Sequence, residues 1–456
     1  MTSRLFCRKY VLPAIFAVLF PSPVHPQASL APLSAVAKAP EIGVPVFQSH
    51  SFKEYKDLGQ IWTILQDRRG ILYFGVSGGD ILEYDGATWR KITTNMSVVR
   101  SLAMDDSGKV WVGGNGSFGY LAPDAMGTTH YVPMVDKMEP KDRNFTDLWQ
   151  IAITPQGNYF RSYDELLRWD GKAVHAWHSN GPATFQALTR IGDHTYTAQT
   201  GIGLEEIVGD ELRPVPGGDA WRTSRKMFLY PYDNGRILVT ARGALLSLYD
   251  GQKQIPFPTG ADEFFKQHPV YSSSLLDDGG ICIDTLDGGA VILEHDGRLR
   301  QIIGKEDGLL DDGTLSSFMD RDRALWLGTG FGITRVEIGS PLSVFSTYPI
   351  ENAIRFEGSI YSASATGTDS IAKLVPDPLT KRPKFVKIPG TTQAFRMRSF
   401  KDPFGGPSQL LVATSDGVLR LAGDKLVPAM SATSGPNEQC YTIRQSVKTP
   451  ARIYIG

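Results

Sequence analysis

The 456-residue sequence predicts an all-β fold: a seven-bladed β-propeller over residues 45–349, followed by the start of a second, incomplete propeller over 350–456. Three observations carry this reading. One six-residue strand pattern recurs ten times, at a mean spacing of about 42 residues, the period of a four-stranded blade. Turn signals bracket every copy, with no helical periodicity between them. The segment ahead of the first copy resembles the segment after the seventh, so the two ends of a ring can meet.

The chain opens on a segment outside the fold. Arg4, Arg8 and Lys9 precede the apolar stretch from Tyr10 to Phe20, which is too short to span a bilayer comfortably. Pro21, Pro23 and Pro26 then break any helix, and Ala28 offers a small residue for cleavage. Residues 1–28 therefore read as a secretory signal peptide, and export is expected. Pro13 and the short length argue against an uncleaved anchor. Residues 29–44 are rich in Ala and Pro and read as a flexible lead-in. No later stretch approaches the length of a membrane span.

Composition narrows the function classes. Hydrophobic residues make up 41% and charged residues 21%, as in ordinary globular chains. Lys+Arg is 47 against Asp+Glu 48, so no basic excess is present to hold a nucleic acid. Three cysteines exclude a disulfide scaffold and a multi-cysteine zinc module.

The recurring strand appears as Gly70–Gly75, Gly108–Gly113, Gly157–Ser162, Asp193–Ala198 and Gly235–Thr240. It returns as Gly279–Asp284, Arg323–Gly328, Gly358–Ala363, Ser408–Ala413 and Ala451–Gly456. A strand ending on a turn precedes each copy, as Trp62–Asp67 does before Gly70. A third strand often ends in Asp-Gly, as at Asp85-Gly86, Asp170-Gly171 and Asp250-Gly251, where glycine supplies positive φ. A fourth, outer strand follows. A sandwich would not require ten near-copies of one hairpin, whereas radial repetition does. Residues Pro45–Phe52 resemble Pro341–Tyr348, which places the closure of the ring at the seventh unit. Three further units cannot close a second ring, so the chain reads as the N-terminal part of a longer product.

The seventh unit contains Lys305-Glu-Asp-Gly-Leu-Leu, then Ser316-Ser-Phe-Met-Asp-Arg-Asp, then Leu325-Trp-Leu-Gly-Thr-Gly-Phe-Gly-Ile333. This resembles the two-component regulator propeller repeat, with Arg323-Ala324 in place of the usual turn glycine. Ser117-Phe-Gly-Tyr-Leu-Ala-Pro-Asp124 is similar to a stretch of the same family's first propeller. The resemblance covers about residues 45–456. It implies an extracytoplasmic sensor whose longer relatives carry a transmembrane helix and a histidine kinase, diguanylate cyclase or helix-turn-helix output. No such part lies in these residues.

Candidate chemistry is sparse. His175 and His178, three apart on a β segment, point to opposite faces and are not joint metal ligands. Asp105-Asp106, Asp277-Asp278 and Asp320-Arg-Asp322 fall in recurring turns and lack the alternating oxygen ligands of a calcium loop. The aromatic column Tyr73, Trp111, Phe160, Tyr196, Trp326, Tyr361 and Tyr454 reads as interblade packing. No nucleophile elbow, P-loop or zinc-protease motif is present. The expectation is no catalytic residue, no metal and no cofactor.

A ligand would sit where the loops leading into the innermost strands meet those between second and third strands. The first set gives Trp62, Arg100, Trp149, Phe185, Arg225 and Tyr271. The second gives Ser77, Asn115, Arg242, Asp287 and Phe331. Aromatics beside arginines suit a small molecule or oligosaccharide, including an acidic one. The expected function is a ligand-sensing module of a transmembrane signalling protein, with a homodimer through the sensor region. A periplasmic propeller enzyme and a non-signalling scaffold that binds carbohydrate or protein are the alternatives.

Overall fold

A computed structural model describes residues 43–179, 181–346, 348–367, 369–376, 383–391, 393–429 and 439–456. The signal peptide expected at 1–28 and most of the expected lead-in lie outside the described residues.

Seven four-stranded antiparallel sheets form a ring. Blade one runs Ile61–Gln66, Leu72–Val76, Asp80–Tyr84 and Trp89–Thr93, each strand pairing with the one before it. The next five blades repeat this order. Blade seven takes only three consecutive strands, Thr314–Met319, Leu325–Thr329 and Gly332–Val336. Its outer strand is Phe47–Ser51 from the other end of the chain, in register from Phe47 opposite Val336 to Ser51 opposite Gly332. Closure is therefore where the matching ends placed it. The inner strand of blade one touches those of both blade two and blade seven.

The lead-in is shorter than expected. Val44 and Val344 exchange backbone hydrogen bonds of 2.7 Å, and the Gly43 amide donates to Ser343 Oγ. Residues 43 and 44 thus belong to the closure and not to a free segment.

The second strand of a blade explains the pattern by which it was recognised. Leu72–Val76, Val110–Gly114, Ile281–Thr285 and Leu325–Thr329 are buried at every position. Neighbouring blades cover both their faces, so they read as nearly unbroken apolar runs where a half-exposed strand would alternate. The cores are shared between blades: Trp326 and Ile333 of blade seven pack with Ile61, Phe74 and Leu82 of blade one. Tyr73, Trp111, Phe160, Trp326 and Tyr361 are buried as expected, and Tyr196 is half-buried. Tyr454 departs from the column at 56% exposed, because its strand belongs to a two-stranded sheet in which Ile453, and not Tyr454, packs against the ninth sheet.

Beyond the ring, Asn352–Phe356, Ser359–Ala363, Ile371–Pro376 and Pro383–Ile388 form an eighth sheet. Ala394–Phe400, Gln409–Thr414, Gly417–Ala422 and Lys425–Pro428 form a ninth, and Ile443–Gln445 pairs with Ile453–Ile455. Cys282 and Cys440 are both buried and free. Among the described residues, no helix is long and apolar enough to cross a membrane.

Candidate functional site

A β-bulge recurs where the inner strands begin. The register shifts between Ile61 and Thr63, Val99 and Ser101, Phe185 and Ala187, Val270 and Tyr271's other neighbour Ser272, and Thr314 and Ser316. The extra residue at each shift is Trp62, Arg100, Gln186, Tyr271 or Leu315. A bulge leaves one residue unpaired and re-aims its side chain. Trp149 and Lys226 stand at the corresponding places of blades three and five, directly before Gln150–Thr154 and Met227–Tyr232. Seven blades thus bring seven such side chains towards one mouth.

A cation sandwich lies at its centre. The Arg100 guanidinium is 4.0 Å from the Trp62 ring centroid and 4.2 Å from that of Trp149, and the two indoles meet edge-on at 6.0 Å. Arg100 Nε donates to Asp147 Oδ2 at 2.9 Å, and Asn115 Nδ2 donates to Asp147 Oδ1 at 2.8 Å. Trp62 Nε1 donates to Ser77 Oγ at 2.8 Å. These bonds join the two sets of loops and fix the sandwich, yet they leave donors unused. Arg100 Nη1 and Trp149 Nε1 are buried without a hydrogen-bond partner.

Two cavities adjoin here. One, of about 520 Å³, runs down the channel between Trp62, Arg100, Trp149, Lys226, Ser272 and Ser317. The other, of about 500 Å³, opens at the mouth beside Asn115, Tyr163, Gln186, Arg225, Lys226 and Arg242. Both lie within the size range of small-molecule sites. Behind the channel-lining Ser272 and Ser317, Asp284 is wholly buried, with Ser272 Oγ at 2.6 Å and Ser317 Oγ at 2.8 Å both donating to Oδ2. Burial pushes its carboxyl up to about 6, against the lowering effect of those hydroxyls and of Lys226.

Of the residues expected at the site, Trp62, Arg100, Trp149, Asn115, Arg225 and Arg242 line these cavities. Tyr271 borders them, with its ring covered by Lys226. Two expectations are corrected. Phe185 is fully buried among Tyr159, Leu166 and Leu188, because the bulge turns Gln186 to the mouth in its place. Phe331, 68% exposed, lines neither cavity. Asp287 pairs with His268 at 3.0 Å. Sequence reasoning missed Gln186 and Lys226, each one residue beyond the one chosen, and Tyr163 from a second-to-third loop.

The histidines and turn aspartates behave structurally. His175 pairs with Asp170, while His178 reaches Asp142 and Glu165. Asp105 and Asp320 cap their turns and each accept a tryptophan N–H, from Trp111 and Trp326. Among the described residues, no group of three or more His, Cys, Asp or Glu side chains could hold a metal ion.

No family model matches the chain, and no curated protein matches it. Solved structures do. The extracellular domain of BT3049 from B. thetaiotaomicron, described as a hybrid two component system, is similar at 15% identity and a TM-score of 0.63. The likeness covers 90% of this chain and 58% of that one. The extracellular domain of BT4673 from the same organism, described as a one component system, is similar at 16% identity and a TM-score of 0.50, covering 90% and 57%. This chain spans less than three fifths of those domains. At such identities the likeness is one of fold.

Proposed function

We propose that this chain is the ligand-sensing part of an extracytoplasmic signalling protein, with the mouth of the seven-bladed ring as its binding site. The observation that carries the reading is the convergence of seven inner-strand side chains on a sandwich of Trp62, Arg100 and Trp149 above an open channel. Aromatic faces beside unused donors suit a saccharide, whose rings stack on indoles while its hydroxyls accept hydrogen bonds. Similarity in fold to extracellular domains of signalling systems supports the setting. We assign residues 45–349 to the ring and 350–456 to the start of a second propeller. The chain itself is read as non-enzymatic. Output, membrane anchoring and any homodimer belong to the longer protein that this reading implies.

The test is thermal shift against a panel of neutral and acidic mono- and disaccharides. A ligand that raises the melting temperature should lose its effect in Trp149→Ala and in Arg100→Ala, with the unliganded melting temperature little changed. A ligand that acts equally on wild type and both variants would move the site away from the mouth. No shift from any member of the panel would remove the support for saccharide sensing.

A further inference from the structure

The mouth holds a lysine that its surroundings do not explain. Lys226 is only 9% exposed and lines both cavities. Its ammonium nitrogen lies 3.2 Å from the Tyr271 ring centroid and 5.4 Å from that of Trp149. Among the described residues, no carboxylate stands within ion-pair distance of it and no side chain accepts a hydrogen bond from it. Buried cations are ordinarily paired, because an unpaired one costs its full desolvation. The backbone is held against its preference as well. Lys226 has a φ of +45°, and its N–H donates to Gln186 Oε1 at 2.9 Å. Strain of this kind persists only where the surroundings over-determine it, and it gathers at binding sites.

Further positive charge surrounds it. Arg225 and Arg242 line the mouth with Lys226, and Arg100 stands across the channel. Asp147 is engaged by Arg100, which leaves exposed Asp164 as the other carboxylate on the mouth cavity. Burial depresses the Lys226 ammonium well below the usual lysine range. The Asp284 carboxylate opposes this, and the guanidiniums of Arg161, Arg242 and Arg100 reinforce it. An anion placed here would give Lys226 a counter-charge, in cavities that Arg100 and Arg242 also line.

We propose that the mouth is an anion site, in which Lys226, flanked by Arg100 and Arg242, receives the carboxylate or sulfate of an acidic sugar. This rests on the reading of the mouth as the ligand site and adds the chemical class. The anion supplies the counter-charge that Lys226 lacks among the described residues.

Titration of the full chain with sodium D-glucuronate, D-glucose 6-sulfate and D-glucose, at constant ionic strength, tests this. At least one acidic probe should bind wild type more tightly than D-glucose, and the better of the two identifies the acid group. Lys226→Met should weaken that probe by about tenfold or more while leaving the melting temperature unchanged or higher. Lys226→Gln serves as a second uncharged variant should the methionine perturb folding, and Lys226→Arg should retain binding in part. Undiminished acidic-probe binding in both uncharged variants overturns the proposal, as does binding by neither acidic probe. Binding of D-glucose alone, lost in Trp149→Ala, overturns the anion site and leaves the sensing reading intact. Binding by none of the three overturns both.

Discussion

The Ser316 hydroxyl donates to the Ile61 carbonyl at 3.0 Å, joining the inner strands of the last and first blades across 255 residues. Its counterpart inside the ring is Ser101, whose hydroxyl donates to the Leu148 carbonyl at 2.7 Å. The closing seam is therefore built like a seam between consecutive blades. What differs is the outer edge, where Phe47–Ser51 completes blade seven. Ser316→Ala should cost about 1 kcal/mol, the net worth of one such bond. Deleting residues 47–51 should cost several times more, because it leaves the Gly332–Val336 edge unpaired and uncovers Ile333. Chemical denaturation of both variants measures the contrast, and equal effects would place closure elsewhere.

Asp320 does two things in its turn. Oδ1 accepts from the amides of Asp322 and Ala324, and Oδ2 accepts from Trp326 Nε1 at 2.7 Å. Removing the carboxylate strands a buried indole N–H, so Asp320→Ala should cost about 2–3 kcal/mol. Asp322→Ala, at an exposed neighbour, should stay within about 0.5 kcal/mol. Equal losses from the two would show that the turn, and not the indole, is what the carboxylate serves.

Phe185 and Phe331 separate packing from surface. Phe185→Ala opens a cavity in a fully buried cluster and should cost about 3–5 kcal/mol. Phe331→Ala should change stability by no more than about 0.5 kcal/mol. A neutral Phe185→Ala would contradict the register of the bulge in blade four.

Asp284 gives stability a pH dependence. Its carboxyl is raised in the fold from the ordinary 3.8 to about 6, first by burial. The folded chain therefore holds the proton more tightly than the unfolded chain does. The contribution is complete below pH 3.8 and is lost as pH rises through about 6. At pH 8 the buried charge costs about 3 kcal/mol. Asp284→Asn removes that cost, so its melting temperature relative to wild type should rise between pH 5 and pH 8. A difference that stays flat across this window would mean that the carboxylate is solvated.

Much of this molecule is legible along the chain. The ten-fold recurrence fixes the strand order within each blade, because each second strand lies between two neighbours and must be apolar on both faces. The likeness of Pro45–Phe52 to Pro341–Tyr348 marks the closing blade, where Phe47–Ser51 pairs with Gly332–Val336 and Val44 bridges to Val344. The turn aspartates and the buried aromatics Tyr73, Trp111, Phe160 and Trp326 follow from the same local rules.

The mouth was only half legible. Trp62, Arg100, Trp149 and Tyr271 could be read from the column of strand starts, but blades four and five were read one residue early. A bulge inserts one residue into a pattern of period two, so the face a side chain takes beyond it cannot be counted from the strand. Hence Phe185 is core and Gln186 reaches the mouth. Blade five has no such register shift; there Lys226, at a φ of +45° just before its strand, is buried between the cavities while its neighbour Arg225 is exposed. The sequence by itself determined the blades, their number in the ring and where the ring shuts. Only the tertiary structure decided that Lys226, Tyr271 and the Arg100 sandwich share one space, because these residues come from different blades and meet only where the blades converge on the axis.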